Sequence, residues 1–195
     1  MKMGKISLKP GNMLYPVPAV MVSCRGKDGR DNILTIAWAG TVCSDPAMVS
    51  ISVRPSRFSH ALIAVSGEFV INLVTESLTR PADFCGVKSG RDLDKWESCR
   101  LHRCSVPGVT APGIEESPVN IGCKVTEVRH LGSHDLFLAK VVSVQADASC
   151  LAPSGKLMLN ASGLVCYSHG EYRALGSRLG TFGFSVKKRR HGSRH

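Results

Sequence analysis

Apolar and small polar side chains alternate along residues 48–53, MVSISV, with the two-residue period of a half-buried strand. Residues 17–24 (VPAVMVSC), 33–42 (ILTIAWAGTV) and 68–74 (EFVINLV) are apolar runs of strand length, rich in Val and Ile. Residues 119–128 (VNIGCKVTEV) and 136–144 (LFLAKVVSV) alternate again, and the polar stretch between them predicts a hairpin. Lys27-Asp28-Gly29 predicts a turn between the first two strands, and Asp45-Pro46 another before the third. Residues 157–167 predict one more short strand or two, and 172–184 close the body. Helical signals are sparse. Ser59 predicts an N-cap for a helix with Leu62, Ile63 and Val65 as its apolar stripe and Gly67 as its end. Residues 79–85 read as a short helix with Pro81 in its first turn. The long polar stretch 86–116, rich in Gly and Pro, is expected to be a functional loop or a subunit contact. Strands joined as hairpins, with two short helices, predict a mainly β antiparallel barrel or sandwich and exclude a doubly wound α/β sheet.

Composition changes this picture little. The hydrophobic content of 43% supports a packed core, and the aromatic content of 6% makes each of the two tryptophans conspicuous. The formal charge of +10 is concentrated at the end, where KKRRHGSRH holds five lysines and arginines. Without that tail the body carries about +5. No groove-reading or base-stacking motif accompanies the tail, so a solvated terminus is expected over a nucleic-acid arm. The stretch MKMGKISLKPGNMLYP has no apolar leader core, and no apolar run approaches membrane-spanning length. The expected setting is cytoplasmic, with no membrane partner and the eight cysteines reduced. Cys99, His102 and Cys104 do not have the spacing of a zinc framework, and no metal site is expected.

Candidate chemistry concentrates in residues 32–60, NILTIAWAGTVCSDPAMVSISVRPSRFSH. A flat aromatic ligand needs an apolar wall and close backbone approach, which Thr35, Ile36, Ala37 and Trp38 could supply. On the residues alone, Trp38 reads equally as ordinary core. A phosphate wants a guanidinium, hydroxyl donors and a helix start. Arg57, Ser59 and His60 offer this combination. Gly176, Gly180 and Gly183 do not form a dinucleotide-binding fingerprint.

The ordered series PVPAVMVSC, N-x-x-T-x-A-W, SDPAMVSISV, RPSRFSHALI and EFVINLV resembles the flavin reductase-like family with the FMN-binding split β-barrel fold, to which flavoredoxins belong. The resemblance continues through Cys85-Gly86 and Asp94-Lys95 and ends in 172–180. It implies a split antiparallel barrel of Greek-key type over 1–186, with 187–195 as a basic tail. It implies FMN as cofactor, NAD(P)H as a transient electron donor, and a homodimer with the flavin near the subunit interface. It also implies electron transfer to a redox protein partner or reduction of flavin or ferric substrates. By the same resemblance Thr35 and Trp38 contact the flavin, Asn32, Ile36 and Ala37 belong to the cofactor-binding set, Arg57, Ser59 and His60 hold the phosphate, and Cys85 neighbours the ring. Lys95 would stabilise the anionic reduced flavin, and Tyr167 is the C-terminal aromatic at the ring. Tyr172 is the other aromatic of that region, and core packing remains open for both. The rival is a non-redox barrel that binds another ligand or partner.

Overall fold

A computed structural model describes residues 4–187; the basic residues 188–195 lie outside the described part. Strands β1 (Val17–Pro18), β2 (Val20–Arg25), β3 (Asp31–Ile36), β4 (Ala39–Ser44) and β5 (Ala47–Val53) are followed by helix α1 (Phe58–Ser66) and β6 (Glu68–Leu73). Helices α2 (Thr79–Val87) and α3 (Lys95–Cys99) and the short β7 (Arg103–Cys104) and β8 (Gly113–Ile114) come next. The long hairpin β9 (Val119–His130) and β10 (Asp135–Ala146) precedes β11 (Val165–Ser168) and β12 (Glu171–Ala174).

Seven strands form one antiparallel sheet in the order β3-β2-β6-β9-β10-β5-β4. Its two edges, β3 and β4, are consecutive in the chain, so the sheet curls until they nearly meet. The fold is the expected split barrel. The corner is the two-residue bend Ala37-Trp38, where the Ser52 amide donates to the Trp38 carbonyl at 2.9 Å. Residues 33–42 are therefore two strands and not one. Trp38 sits at the split, 38% exposed, because a residue at a corner cannot bury both faces.

β2 is buried on both faces, which accounts for its unbroken apolar run. Val20, Val22 and Cys24 face the barrel interior with Leu34, Ile51, Phe69 and Phe137. Met21 faces outward into a second cluster with Ile33, Ala82, Cys85 and Trp96, beneath α2 and α3. Trp96 is thus core. α3 was not foreseen, and its five residues are begun by the Asp94 carboxylate, which accepts from the Trp96 and Glu97 amides.

The second half of the 86–116 stretch is pinned from below and is not a free loop. The Glu68 carboxylate accepts from the Thr110 and Ala111 amides, and Ser23 Oγ donates to the Pro112 carbonyl. Asn72, fully buried, accepts from the Ile114 amide at 2.9 Å and from Asn120 Nδ2 at 2.8 Å. Gly67 ends α1 in the left-handed region as expected, at φ 71°. The N-cap is Arg57, not Ser59, and no side chain caps the first-turn amides. Among the described residues no helix is long and apolar enough to cross a membrane.

Candidate functional site

Two cavities open where β3, the start of α1 and the 86–91 segment converge. The first, about 410 Å³, is walled by Leu34, Thr35, Ile36, Ala37 and Trp38, with Tyr15, Tyr167 and Tyr172 contributing the aromatic surface. The second, about 420 Å³ and polar, is lined by Arg54, Arg57, Lys88, Arg91 and Lys95 together with Asn32 and Ser59. Leu34, Arg54 and Arg57 line both, so the cavities adjoin through a shared wall. An apolar, aromatic end next to an end with five cations suits a flat ring joined to an anionic group. The uncapped first-turn amides of α1 add fixed positive charge at the second end.

Thr35 lines the first cavity, but its hydroxyl donates to the Ala82 carbonyl and ties α2 to β3. Asn32 and Ser59 are buried and bonded to each other, Nδ2 to Oγ at 2.7 Å. They shape the floor of the polar cavity. Gly90 lies against this floor, where a Cβ would sit 2.1 Å from Asn32 Oδ1. Arg91 in turn donates to the Ser56 carbonyl at 3.0 Å, closing the 88–91 segment over the turn before α1.

The structure places three of the assigned residues elsewhere than the resemblance implies. His60 lies outside both cavities. Its Nε2 is 2.7 Å from the buried Asp135 carboxylate, and its ring stands edge-on to Phe137. One residue beyond Ser59 is a rotation of about 100° on a helix, enough to turn the imidazole toward β10. Cys85 is fully buried on the inner side of α2, and Gly86 and Val87 face the ring cavity in its place. Lys95 belongs to the polar cavity and not to the ring cavity. It is 2% exposed, and its Nζ donates to the Ile33 and Cys85 carbonyls at 2.8 Å each. Desolvation by burial is the main cause holding its pKa below the ordinary lysine value.

Tyr167, assigned to the ring by the resemblance, lines the first cavity, and Tyr15, Tyr172 and His134 line it beside Tyr167. Tyr167 and Tyr172 meet edge-to-face at 5.5 Å, and Tyr15 approaches Tyr167 at 6.4 Å. His134 lines the ring cavity and packs on Trp38, with ring centroids 4.6 Å apart. Burial, with Arg54 next, lowers its pKa below the ordinary histidine value and so favours the neutral ring. Its place follows from pairing of Asp135 with Val53, which brings the β9–β10 turn beside Arg54. The grouping Lys88-Ser89-Gly90-Arg91 was a signal in the sequence: two cations around a glycine that permits close packing.

Two expected outcomes arise here. Gly90→Ala should displace the 88–91 segment from Asn32 and weaken binding of a phosphate-bearing ligand about tenfold, which is about 1.4 kcal/mol. Fluorescence titration checks this, and unchanged affinity would remove the segment from the site. The second concerns Asp135, whose pKa lies below its ordinary 3.8, chiefly through the His130 hydrogen bond and then, against desolvation, that of His60. A depressed carboxylate stabilises the fold above its ordinary value, and that contribution is lost as pH falls through the folded value. The stability gap between wild type and Asp135→Asn should therefore narrow below about pH 4 in urea titrations. A gap independent of pH would show that the ion pairs do not matter.

The family model described as a flavin reductase like domain matches residues 12–176. The flavoredoxin of Desulfovibrio vulgaris (Miyazaki F) superposes with a TM-score of 0.87 at 31% identity, covering 94% of this chain and 100% of that one. An uncharacterized protein of Pyrococcus abyssi is 32% identical over 133 residues, 67% of this chain and 74% of its own. The NADH:riboflavin 5'-phosphate oxidoreductase of Streptomyces pristinaespiralis is 23% identical over 133 residues, 66% of this chain and 70% of its own.

Proposed function

The chain belongs to the flavin reductase-like family, and we propose that it binds FMN and works in electron transfer or in NAD(P)H-linked reduction of flavin or ferric substrates. The observation that carries this reading is the junction of an aromatic cavity with a five-cation cavity through Leu34, Arg54 and Arg57. A bound flavin supplies the redox chemistry, taking up and releasing two electrons. The chain's own residues bind, orient and shield. Arg57, Arg54, Lys88 and Arg91 neutralise the phosphate, and the Asn32–Ser59 pair holds the floor beneath it. Leu34, Ile36 and Ala37 give the ring an apolar wall. Trp38, partly exposed at the barrel corner, leaves this end of the site within reach of an electron donor or acceptor. His134 presents a neutral imidazole there, able to accept or donate one hydrogen bond to a docking substrate.

A homodimer is part of this reading. Leu14, Leu175, Leu179 and Phe182 are large apolar side chains left on the surface of the N- and C-terminal arms, from 56% upward. Met13 and Leu14 also line a groove that runs to Trp38. A second copy of the chain would cover them, and light scattering reads the oligomeric state directly.

The experiment is a visible spectrum. Protein incubated with FMN and freed of excess should be yellow; a colourless protein overturns the reading. Bleaching by NADH or NADPH under anaerobic conditions then assigns it as a reductase. Bleaching only by a reduced redox protein assigns it as a carrier.

A further inference from the structure

Cys85 and Cys99 place their sulfurs 3.9 Å apart, both as free thiols. Other cysteines meet oxygen and not sulfur: Cys24 the Asn32 carbonyl, Cys104 the Asn120 side chain and Cys150 the Ser162 hydroxyl. The pair joins α2 to α3, two helices that Lys95 already links through its bond to the Cys85 carbonyl. Lys95 and Cys99 are four positions apart on α3, hence on one face. The fourteen-position span between the cysteines carries Lys88, Ser89, Gly90, Arg91 and Lys95, which supply three of the five cations of the cationic cavity. Nothing covalent holds that span. It rests on the Lys95 bonds to the Ile33 and Cys85 carbonyls, the Gly90–Asn32 packing and the bond from Arg91 to the Ser56 carbonyl.

We propose that Cys85 and Cys99 are a dithiol that a hydroperoxide converts to a disulfide, and that this bond tightens FMN binding by fixing the 86–98 segment over the phosphate. The coupling to FMN rests on the function proposed above; the disulfide does not. A disulfide needs its sulfurs at about 2.05 Å, so the pair must close from 3.9 Å, and the half-buried Cys99 has more room to move than the fully buried Cys85. Cys99 is the thiol that a solvent-borne oxidant meets first. Its sulfur attacks one peroxide oxygen, the O–O bond breaks, and Cys99 becomes a sulfenic acid as the other oxygen leaves (as water from hydrogen peroxide). The Cys85 sulfur then attacks the Cys99 sulfur, the S–O bond breaks, and water leaves. Both thiol protons end in the released products, the peroxide is reduced by two electrons, and the pair is oxidised by two. An added dithiol reverses the step. Burial raises the pKa of both thiols, that of Cys85 to about 12, so the reaction accelerates as pH rises.

Binding energy is gained because the ordering of Lys88 and Arg91 no longer falls on the ligand. The test treats full-length protein with hydrogen peroxide, removes the excess, and maps the disulfide by peptide mass. FMN affinity of the reduced and oxidised forms is then compared by fluorescence. The expected result is a Cys85–Cys99 link, reversed by dithiothreitol, with FMN affinity about three- to tenfold tighter in the oxidised form. Cys99→Ser should abolish both the link and the peroxide response, and Cys85→Ala repeats the control from the buried side. Absence of the link, with these two thiols still free or over-oxidised, overturns the proposal. A link with equal or weaker affinity overturns the coupling. Failure of the reduced protein to bind FMN at all counts instead against the function proposed above.

Discussion

Arg57→Ala should weaken FMN binding by about ten- to a hundredfold, because a hydrogen bond to a charged partner contributes roughly 1.5–3 kcal/mol. Riboflavin, which lacks the phosphate, should lose no more than about twofold, since no charge-assisted bond is removed for it. Arg57 stands at the N-cap of α1, beside first-turn amides that no side chain caps, and it lines both cavities. Arg54, Lys88 and Arg91 remain in the variant and keep part of the field, which is why the loss is bounded. Arg57→Lys keeps the charge but not the guanidinium fork and should fall between the two. FMN binding should also weaken with added salt, as these cations are largely exposed. Fluorescence titration of both ligands against each variant provides the measurement. Equal losses for FMN and riboflavin would mean that Arg57 shapes the ring cavity and does not hold the phosphate. His60→Ala serves as the contrast. It should leave FMN affinity nearly unchanged, because the imidazole is spent on Asp135.

Asn72→Ala should lower the unfolding free energy by about 2–4 kcal/mol, since each buried group left unpaired costs roughly 1–3 kcal/mol. Asn72 is completely buried on β6, and all its hydrogen-bonding capacity is in use. Nδ2 donates to the Met21 carbonyl and to Ser23 Oγ, at 2.9 Å each. Oδ1 accepts from the Ile114 amide and from Asn120 Nδ2. Alanine orphans the Ile114 amide, removes one of the two partners of Asn120 Nδ2, and loosens the tie of β8 to β6. Asn120 Nδ2 keeps its second bond, to the Ile114 carbonyl, which sets the lower end of the range. Urea unfolding reads the loss. A change below about 1 kcal/mol would mean that water replaces the side chain and that the network contributes little. The ring and phosphate cavities are lined by other residues, so FMN affinity should survive wherever the variant remains folded.

The two variants divide the protein along a useful line. Arg57 is a surface residue whose value depends on what binds. Asn72 is a polar core residue whose value is the fold itself. Both lie in the stretches whose order carries the family resemblance, RPSRFSHALI and EFVINLV, and from those letters alone their roles are not separable. Asn72 reads as a polar break in an apolar strand. Only the β2–β6–β9 pairing shows that Ser23, Asn120 and the Ile114 amide converge on it.

Local periodicity determined much by itself. The strand runs, the αL glycine at Gly67 and the Lys27-Asp28-Gly29 turn were legible because each depends on residues within a few positions of one another. Arg57 beside a helix start was legible for the same reason. The tertiary structure decided what depends on direction and on distant partners. His60 turns away from the polar cavity because the Asp135 carboxylate, seventy-five positions on, takes its imidazole. Lys95 enters the polar cavity, away from the ring, because carbonyls of β3 and α2 hold its ammonium. His134 reaches Trp38 only through the register of β10 on β5, and Tyr15, Tyr167 and Tyr172 gather only because β1, β11 and β12 form a sheet. Side-chain chemistry is written residue by residue. Which groups share one cavity is set by pairings across the chain, and a linear pattern with a period of two or 3.6 carries no term for them.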